Sequence, residues 1–112
     1  MNMKLAPKIA IITLLLGTRV GWSARADAPA AWGANCAACH GKDGKGNTMM
    51  GHKLSIKDMT DPKVQASFTD ADATKAIKEG VTDSGTQTMK AFGDKLSDDD
   101  VKALVAYVRT LK

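Results

Sequence analysis

The sequence predicts a small all-α domain with three to four short helices and long loops. Apolar residues recur at helical spacing near the C-terminus, whereas no stretch alternates apolar and polar residues long enough to predict a half-buried strand. The chain has 112 residues, of which 4% are aromatic. A single domain of this size with so few aromatic side chains has a thin core, which a bound group or a covalent link usually supplements.

Residues 1–28 have the pattern of a secretory signal peptide. Two lysines precede a short apolar run at residues 9–16, and A-x-A-like cleavage sites end at Ala26 and Ala28. The apolar run is much shorter than the roughly 20 residues of a membrane-spanning helix. We therefore predict that the segment is cleaved after Ala26 or Ala28, and that residues 29–112 form the exported domain.

The charge balance argues against a nucleic-acid binder. The full chain has a formal net charge of +4, but four of its basic residues lie within residues 1–28. The domain keeps twelve basic and eleven acidic residues, and the two counts are equal if Asp27 is retained. Near-neutral charge gives little attraction to nucleic acid, and no remaining stretch is long enough to cross a bilayer. We expect neither a nucleic-acid partner nor stable membrane insertion.

Three short helices are predicted in the first part of the domain. An Ala-rich stretch at residues 29–36 has a proline at its start, which a first helical turn tolerates. One helical turn is expected near residues 63–66, and Thr69 begins a helix that ends at Gly80. The intervening loops, rich in glycine, threonine and serine, are residues 41–51 and 81–93.

The last helix has the clearest pattern. Ser97 and Asp100 have the spacing of a capping box, with aspartate in place of the commoner glutamate. The apolar residues that follow at helical spacing are Val101, Leu104, Val105, Val108 and Leu111. Arg109 suits the end of this helix, because a cation there complements the helix dipole.

The residues with the clearest chemical meaning are Cys36-Ala37-Ala38-Cys39-His40. C-x-x-C-H is the attachment pattern of a c-type haem. On a helix, Cys36 and Cys39 lie on one face, where each can form a thioether with a vinyl group of the porphyrin, and His40 can reach the iron from the same side. The motif therefore predicts one covalently attached haem c with His40 as its proximal ligand.

Three other uses of this cysteine pair are disfavoured. A thioredoxin-like redox pair requires a strand–helix context, which the sequence lacks. A zinc site needs a third and a fourth ligand, and only His40 and His52 are available to supply them. A disulfide between Cys36 and Cys39 would be strained at this spacing and would leave His40 without a role.

A six-coordinate haem needs a second axial ligand. The candidates are Met49, Met50, Met59, Met89 and His52. Met89 is favoured, because it lies in a polar loop between two predicted helices, where a thioether has no evident packing role. The two methionines that soon follow His40 are expected to line the edge of the haem instead, and His52 is expected to be solvated.

Several segments, in order along the domain, resemble one known family. They are residues 36–46, 75–80 (KAIKEG), 89–92 (MKAF), 95–98 (KLSD) and 104–109 (LVAYVR). Together they are similar to bacterial class I monohaem cytochromes c, in particular the small periplasmic cytochromes of the c6/c551/c552 kind. The resemblance covers essentially all of residues 29–112.

The resemblance implies a small cytochrome c fold wrapped around one covalently attached haem. It makes Cys36 and Cys39 the thioether sites, His40 the proximal ligand and Met89 the distal ligand. It also implies that the N-terminal helix crosses the C-terminal helix, with Trp32 meeting residues 104–108. The sequence departs from many relatives immediately after the ligand methionine, where a lysine replaces proline.

We expect a soluble periplasmic electron carrier rather than an enzyme, with at most weak peroxidase activity. Histidine and methionine ligands would fill both axial positions and raise the reduction potential. The alternative is a CO or NO binder or sensor in which Met89 is displaceable. Expected partners are periplasmic or membrane-bound redox proteins acting as donor and acceptor, and the chain is expected to be a monomer. The apolar residues expected to line the haem or the core are Met49, Met50, Leu54, Ile56, Met59, Phe68, Ile77, Phe92 and Leu96.

Overall fold

The computed structural model describes residues 27–112. Within that range the chain forms six helices and one two-stranded antiparallel sheet. In chain order these are α1 (Ala28–Asn35), α2 (Ala37–His40), α3 (Met49–Lys53), α4 (Pro62–Gln65), α5 (Asp70–Glu79), β1 (Val81–Asp83), β2 (Thr86–Met89) and α6 (Asp98–Arg109). The predicted signal peptide falls almost entirely outside the described residues.

The sequence correctly predicted α1, α4, α5 and α6. The last two begin at capping boxes: Thr69 Oγ1 accepts from the Asp72 N–H at 3.0 Å, and Asp72 Oδ2 accepts from the Thr69 N–H at 2.9 Å. Ser97 and Asp100 make the same pair of bonds at 3.1 and 3.0 Å. Each box satisfies two amides that a helix start leaves free, so four-residue patterns fix where α5 and α6 begin.

The prediction that residues 41–51 form only a loop was wrong at its end, where α3 begins. Thr48 is its N-cap, and Thr48 Oγ1 accepts a hydrogen bond from the Gly51 N–H at 2.8 Å. Gly51 fits tightly here, because a Cβ at this position would collide with the carbonyl oxygen of Gly46. A one-turn helix that depends on such a close contact has no periodic signal in the sequence.

The prediction that residues 81–93 form only a loop was also wrong. Strands β1 and β2 form a hairpin whose two-residue turn is Ser84-Gly85, with φ of 48° and 79°. Positive φ at both central residues is what a type I′ hairpin turn requires. All of β1 and the first half of β2 are exposed. With no buried face, the strands have no alternating pattern to reveal them.

The core lies where α1, α5 and α6 meet. Its buried side chains are Trp32, Cys36, Ile77, Val101, Leu104 and Val105. Trp32 is 4% exposed, and the centroid of its ring lies 5.5 Å from that of Tyr107 on α6. The expected crossing of the first and last helices is therefore confirmed, with Trp32 at the contact.

Arg109 joins the end of α6 to the segment between α4 and α5. Its Nε donates to Asp70 Oδ1 at 2.7 Å, its Nη1 to the Gln65 carbonyl at 2.6 Å and its Nη2 to the Phe68 carbonyl at 2.8 Å. The guanidinium carbon also lies 4.3 Å from the centroid of the Phe68 ring. The sequence predicts only a helix-end role for Arg109, whereas the structure makes it a cross-link between distant segments.

Replacing Arg109 with alanine should lower the free energy of unfolding by about 2 kcal/mol, because partly buried carbonyl groups lose a charged donor. Denaturant unfolding of the purified protein measures the change. Lys102→Ala, an exposed cation on the same helix, should change stability by less than about 0.5 kcal/mol. Equal effects of the two substitutions would show that the Arg109 contacts contribute no stability.

Candidate haem site

The C-x-x-C-H motif occupies the junction of α1 and α2. The Cys36 N–H donates to the Trp32 carbonyl at 2.9 Å, and the His40 N–H donates to the Cys36 carbonyl at 2.9 Å. Cys36 therefore continues one helical path into the next, and His40 lies one turn after it. This is the helical spacing that would place a thioether and an imidazole on the same side of a haem. Cys36 and Cys39 are both free thiols.

Burial keeps both Cys36 and His40 uncharged. It raises the pKa of the Cys36 thiol to about 11, with a smaller contribution from the nearby Cys39. Burial also lowers the pKa of His40, which favours the neutral imidazole. A neutral imidazole has a ring nitrogen with a free lone pair and is the form that binds metals.

Trp32 packs directly against His40. Their ring centroids are 5.5 Å apart, with an angle of 39° between the ring planes. The indole Nε1–H donates a buried hydrogen bond of 3.0 Å to the carbonyl of Gly41, the residue after His40. Because the same indole contacts Tyr107, Trp32 links His40 to the helix crossing. The family resemblance implied that Trp32 lies at that crossing, but its contact with His40 was not predicted.

The polar loop after the motif folds back on α2. Thr48 Oγ1 donates to the Cys39 carbonyl at 2.6 Å, and the Gly46 N–H donates to the His40 carbonyl at 2.7 Å. These bonds satisfy carbonyl groups that the end of a short helix leaves free. Thr48 thus fixes both the end of α2 and the start of α3. Nothing in the local pattern around Thr48 indicates the first of these roles.

The candidate axial ligands lie in different environments. Met49 is 86% exposed and Met50 is 39% exposed, and His52 is exposed. Met89, at the end of β2, is half-buried and packs against the core cluster that contains Cys36. The structure therefore brings Met89 and Cys36 into one cluster. It also corrects the premise that Met89 has no packing role.

The site residues fit a covalently bound haem. The Nδ1 atom of His40 is buried and has no hydrogen-bond partner among residues 27–112, which is costly for a side chain with a packing role alone. A second set of apolar side chains is half-buried and lies outside the core cluster: Leu54, Ile56, Met59, Val64 and Phe68. Two free thiols and a neutral imidazole at the C-x-x-C-H spacing match the groups that hold haem c.

Other kinds of site find little support in the described part of the chain. Residues 27–112 contain no cluster of three or more histidine, cysteine, aspartate or glutamate side chains placed to hold a metal ion. No helix within the same range has the length and apolar character needed to span a membrane.

Comparison with known proteins identifies the family. Residues 23–108 match the family described as cytochrome C oxidase, cbb3-type, subunit III. The chain is 36% identical to the cbb3-type oxidase subunit FixP of Azorhizobium caulinodans over 95 residues, which are 80% of this chain but 30% of FixP. It is 33% identical to a Synechococcus cytochrome c6 over 104 residues, which are 93% of this chain and 85% of that protein.

A solved structure has the same fold. The KustC0563 c-type cytochrome superposes with a TM-score of 0.69 at 34% identity, covering 77% of this chain and 98% of that one. The fold and the matches together define a small class I monohaem cytochrome c, with one covalently bound haem c and an electron-transfer function. The chain belongs to the cytochrome c family described as cytochrome C oxidase, cbb3-type, subunit III. It spans only 30% of the length of FixP.

Replacing Trp32 with phenylalanine should lower the free energy of unfolding of the haem-loaded protein by about 2–4 kcal/mol, because the buried Gly41 carbonyl loses its donor and the smaller ring leaves a cavity between His40 and Tyr107. Tyr107→Phe is the matched control, since it keeps the aromatic contact on the other side of Trp32. It should change stability little, as measured by urea unfolding. If both substitutions have the same effect, the indole hydrogen bond does not secure the motif.

Proposed function

We propose that this protein is a periplasmic one-electron carrier whose haem is attached through Cys36 and Cys39 and ligated by His40 and Met89. The observation that carries this proposal is that Cys36 and Met89 pack in the same core cluster. Cys36 belongs to the buried core against which Met89 packs, and it lies one helical turn before His40. A thioether site and both proposed ligands thus come from one compact part of the fold.

The chain's own residues would hold and shield the cofactor. Bound haem c supplies an iron centre that gains and loses one electron. Cys36 and Cys39 would fix the porphyrin edge, and His40, positioned by Trp32, would bind the iron as a neutral imidazole. Met89 would supply the second protein ligand to the iron, so that no position would be left open for a substrate. The half-buried apolar side chains would exclude water, so the electron could transfer without bond making or proton movement.

Transient docking to other redox proteins suits the surface around the motif. Five lysines between residues 42 and 63 outnumber three aspartates there, and all five are exposed. The exposed side chains of Met49 and Met50 lie in the same stretch. Exposed apolar side chains in a lysine-rich stretch favour brief association with an acidic partner. The similarity to an oxidase subunit and to cytochromes c6 supports electron donors and acceptors as partners of a monomer.

Met89→Leu should abolish the ferric charge-transfer band that methionine sulfur gives when it binds haem iron, and it should lower the reduction potential. Leucine conserves the volume that packs against the core, so loss of the band reports ligation rather than unfolding. Met59→Leu is the control, because Met59 is half-buried outside the core cluster, and it should keep the band. A band that persists in Met89→Leu would show that another residue is the ligand.

Carbon monoxide distinguishes the electron carrier from the sensor alternative. The ferrous wild-type protein should bind CO slowly, because Met89 must first leave the iron. Rapid and complete binding of CO at low concentration would instead support a displaceable ligand and a sensing role. Stopped-flow absorbance of the haem-loaded protein measures the rate directly.

We further propose that the signal peptide is cleaved after Ala26 rather than Ala28. Asp27 is the N-cap of α1, with its side chain accepting from the Ala30 N–H at 3.1 Å and its carbonyl from the Ala31 N–H at 2.9 Å. Cleavage after Ala28 would remove this cap and place a positive α-amino group in the first turn, where the helix dipole is also positive.

Intact-mass measurement of protein purified from the periplasmic fraction should give a mature chain that begins at Asp27. Asp27→Ala should leave export intact and lower the free energy of unfolding by about 1 kcal/mol through loss of the cap. A mature chain that begins at Pro29 would contradict the proposed site, and a chain that keeps residues 1–26 would contradict cleavage.

A further inference from the structure

We propose that the β1–β2 hairpin is the device that positions Met89, and that Gly85, at its exposed tip, is the positioning residue. This inference rests on the proposed ligation of iron by Met89. The segment after Met89 begins with Lys90, which has no ring to restrict the backbone dihedral φ as a proline would. The restriction on Met89 must therefore come from the elements around it.

The register of the hairpin places Met89 at a bulge. Asp83 pairs with Thr86 and Thr82 with Gln87, but Val81 pairs with Met89, which leaves Thr88 as an extra residue on β2. A bulge re-aims the side chains beside it. β2 accordingly changes from exposed at its first two residues to half-buried at its last two, and Met89 packs on the core.

The end of α5 holds the other side of the Met89 segment. The Phe92 N–H donates to the Ile77 carbonyl at 2.8 Å, and the Gly93 N–H donates to the Lys78 carbonyl at 3.1 Å. Gly80, with φ of 76°, lies beneath the segment, since a Cβ there would be 2.6 Å from the Met89 carbonyl oxygen. Residues 89–93 are thus held by backbone contacts to α5 on one side and by the hairpin ladder on the other.

The turn at the tip of the hairpin sets how β1 and β2 pair, although its glycine lies away from the core. Gly85 has φ of 79°, and a Cβ added there would meet nothing within 4 Å. A substitution at Gly85 therefore acts through the backbone conformation of the turn and not through any side-chain contact. Gly33 offers the matched site, because a Cβ there also meets nothing within 4 Å but its backbone is helical, where alanine is favoured.

The test measures how fast imidazole replaces Met89 on the ferric iron of the haem-loaded protein, with the absorbance change followed by stopped flow. Gly85→Ala should raise the rate roughly tenfold, because a non-glycine residue is disfavoured at this positive φ. Ser84→Asn should lower the rate a few-fold, since Asn-Gly is the preferred type I′ pair. Gly33→Ala should leave the rate unchanged.

The outcomes separate this inference from the ligand assignment. If Met89→Leu loses the ferric charge-transfer band but Gly85→Ala binds imidazole at the wild-type rate, Met89 is the ligand and the hairpin does not position it. A lower unfolding midpoint in Gly85→Ala without faster imidazole binding would likewise overturn the inference, because it indicates a purely structural turn. If Met89→Leu keeps the band, the ligand assignment fails and this inference fails with it.

Discussion

The contact of one indole ring with both the helix crossing and the C-x-x-C-H motif is the constraint on which the rest of the structure depends. Trp32 packs between Tyr107 and His40 and donates a buried hydrogen bond to the Gly41 carbonyl. Because a domain with few aromatic residues has a thin core, this residue serves two purposes. The packing that holds α1 against α6 also fixes the orientation of the proposed proximal ligand.

The two sides of the proposed haem site are built by different means. His40 packs against the buried ring of Trp32 and lies on α2, which directly follows the core residue Cys36. Met89 also packs on the core, but its backbone lies at the end of an exposed hairpin and beside Gly80. Exposed backbone pairing opens more easily than a packed core. Ligand exchange, if it occurs, is therefore expected on the Met89 side, whereas the covalent side stays fixed.

Apart from the crossing of α1 and α6, which the family resemblance implied, the features predicted correctly are those that depend on residues close together along the chain. The C-x-x-C-H motif and the capping boxes at Thr69 and Ser97 are of this kind, and each has a direct physical meaning over three to five residues. The Arg109 contacts could not be predicted, because their partners are 39 to 44 residues away. The hairpin was missed because its strands have no buried face, and the burial of Met89 depends on where that hairpin folds.

The segment between α3 and α5, which includes only the one-turn helix α4, shows how polar contacts can order a largely irregular backbone. Met59, at its centre, has no helix of its own, but its N–H donates to the Gly44 carbonyl at 2.8 Å and its carbonyl accepts from Gln65 Nε2 at 2.6 Å. Gln65 Oε1 in turn accepts a hydrogen bond of 3.0 Å from Arg109 Nη1. Satisfying the backbone in this way lets the segment present apolar side chains without a regular face. The half-buried apolar side chains of this segment therefore depend for their order on polar contacts rather than on a long helix, and under the proposed function they would shield the haem from water.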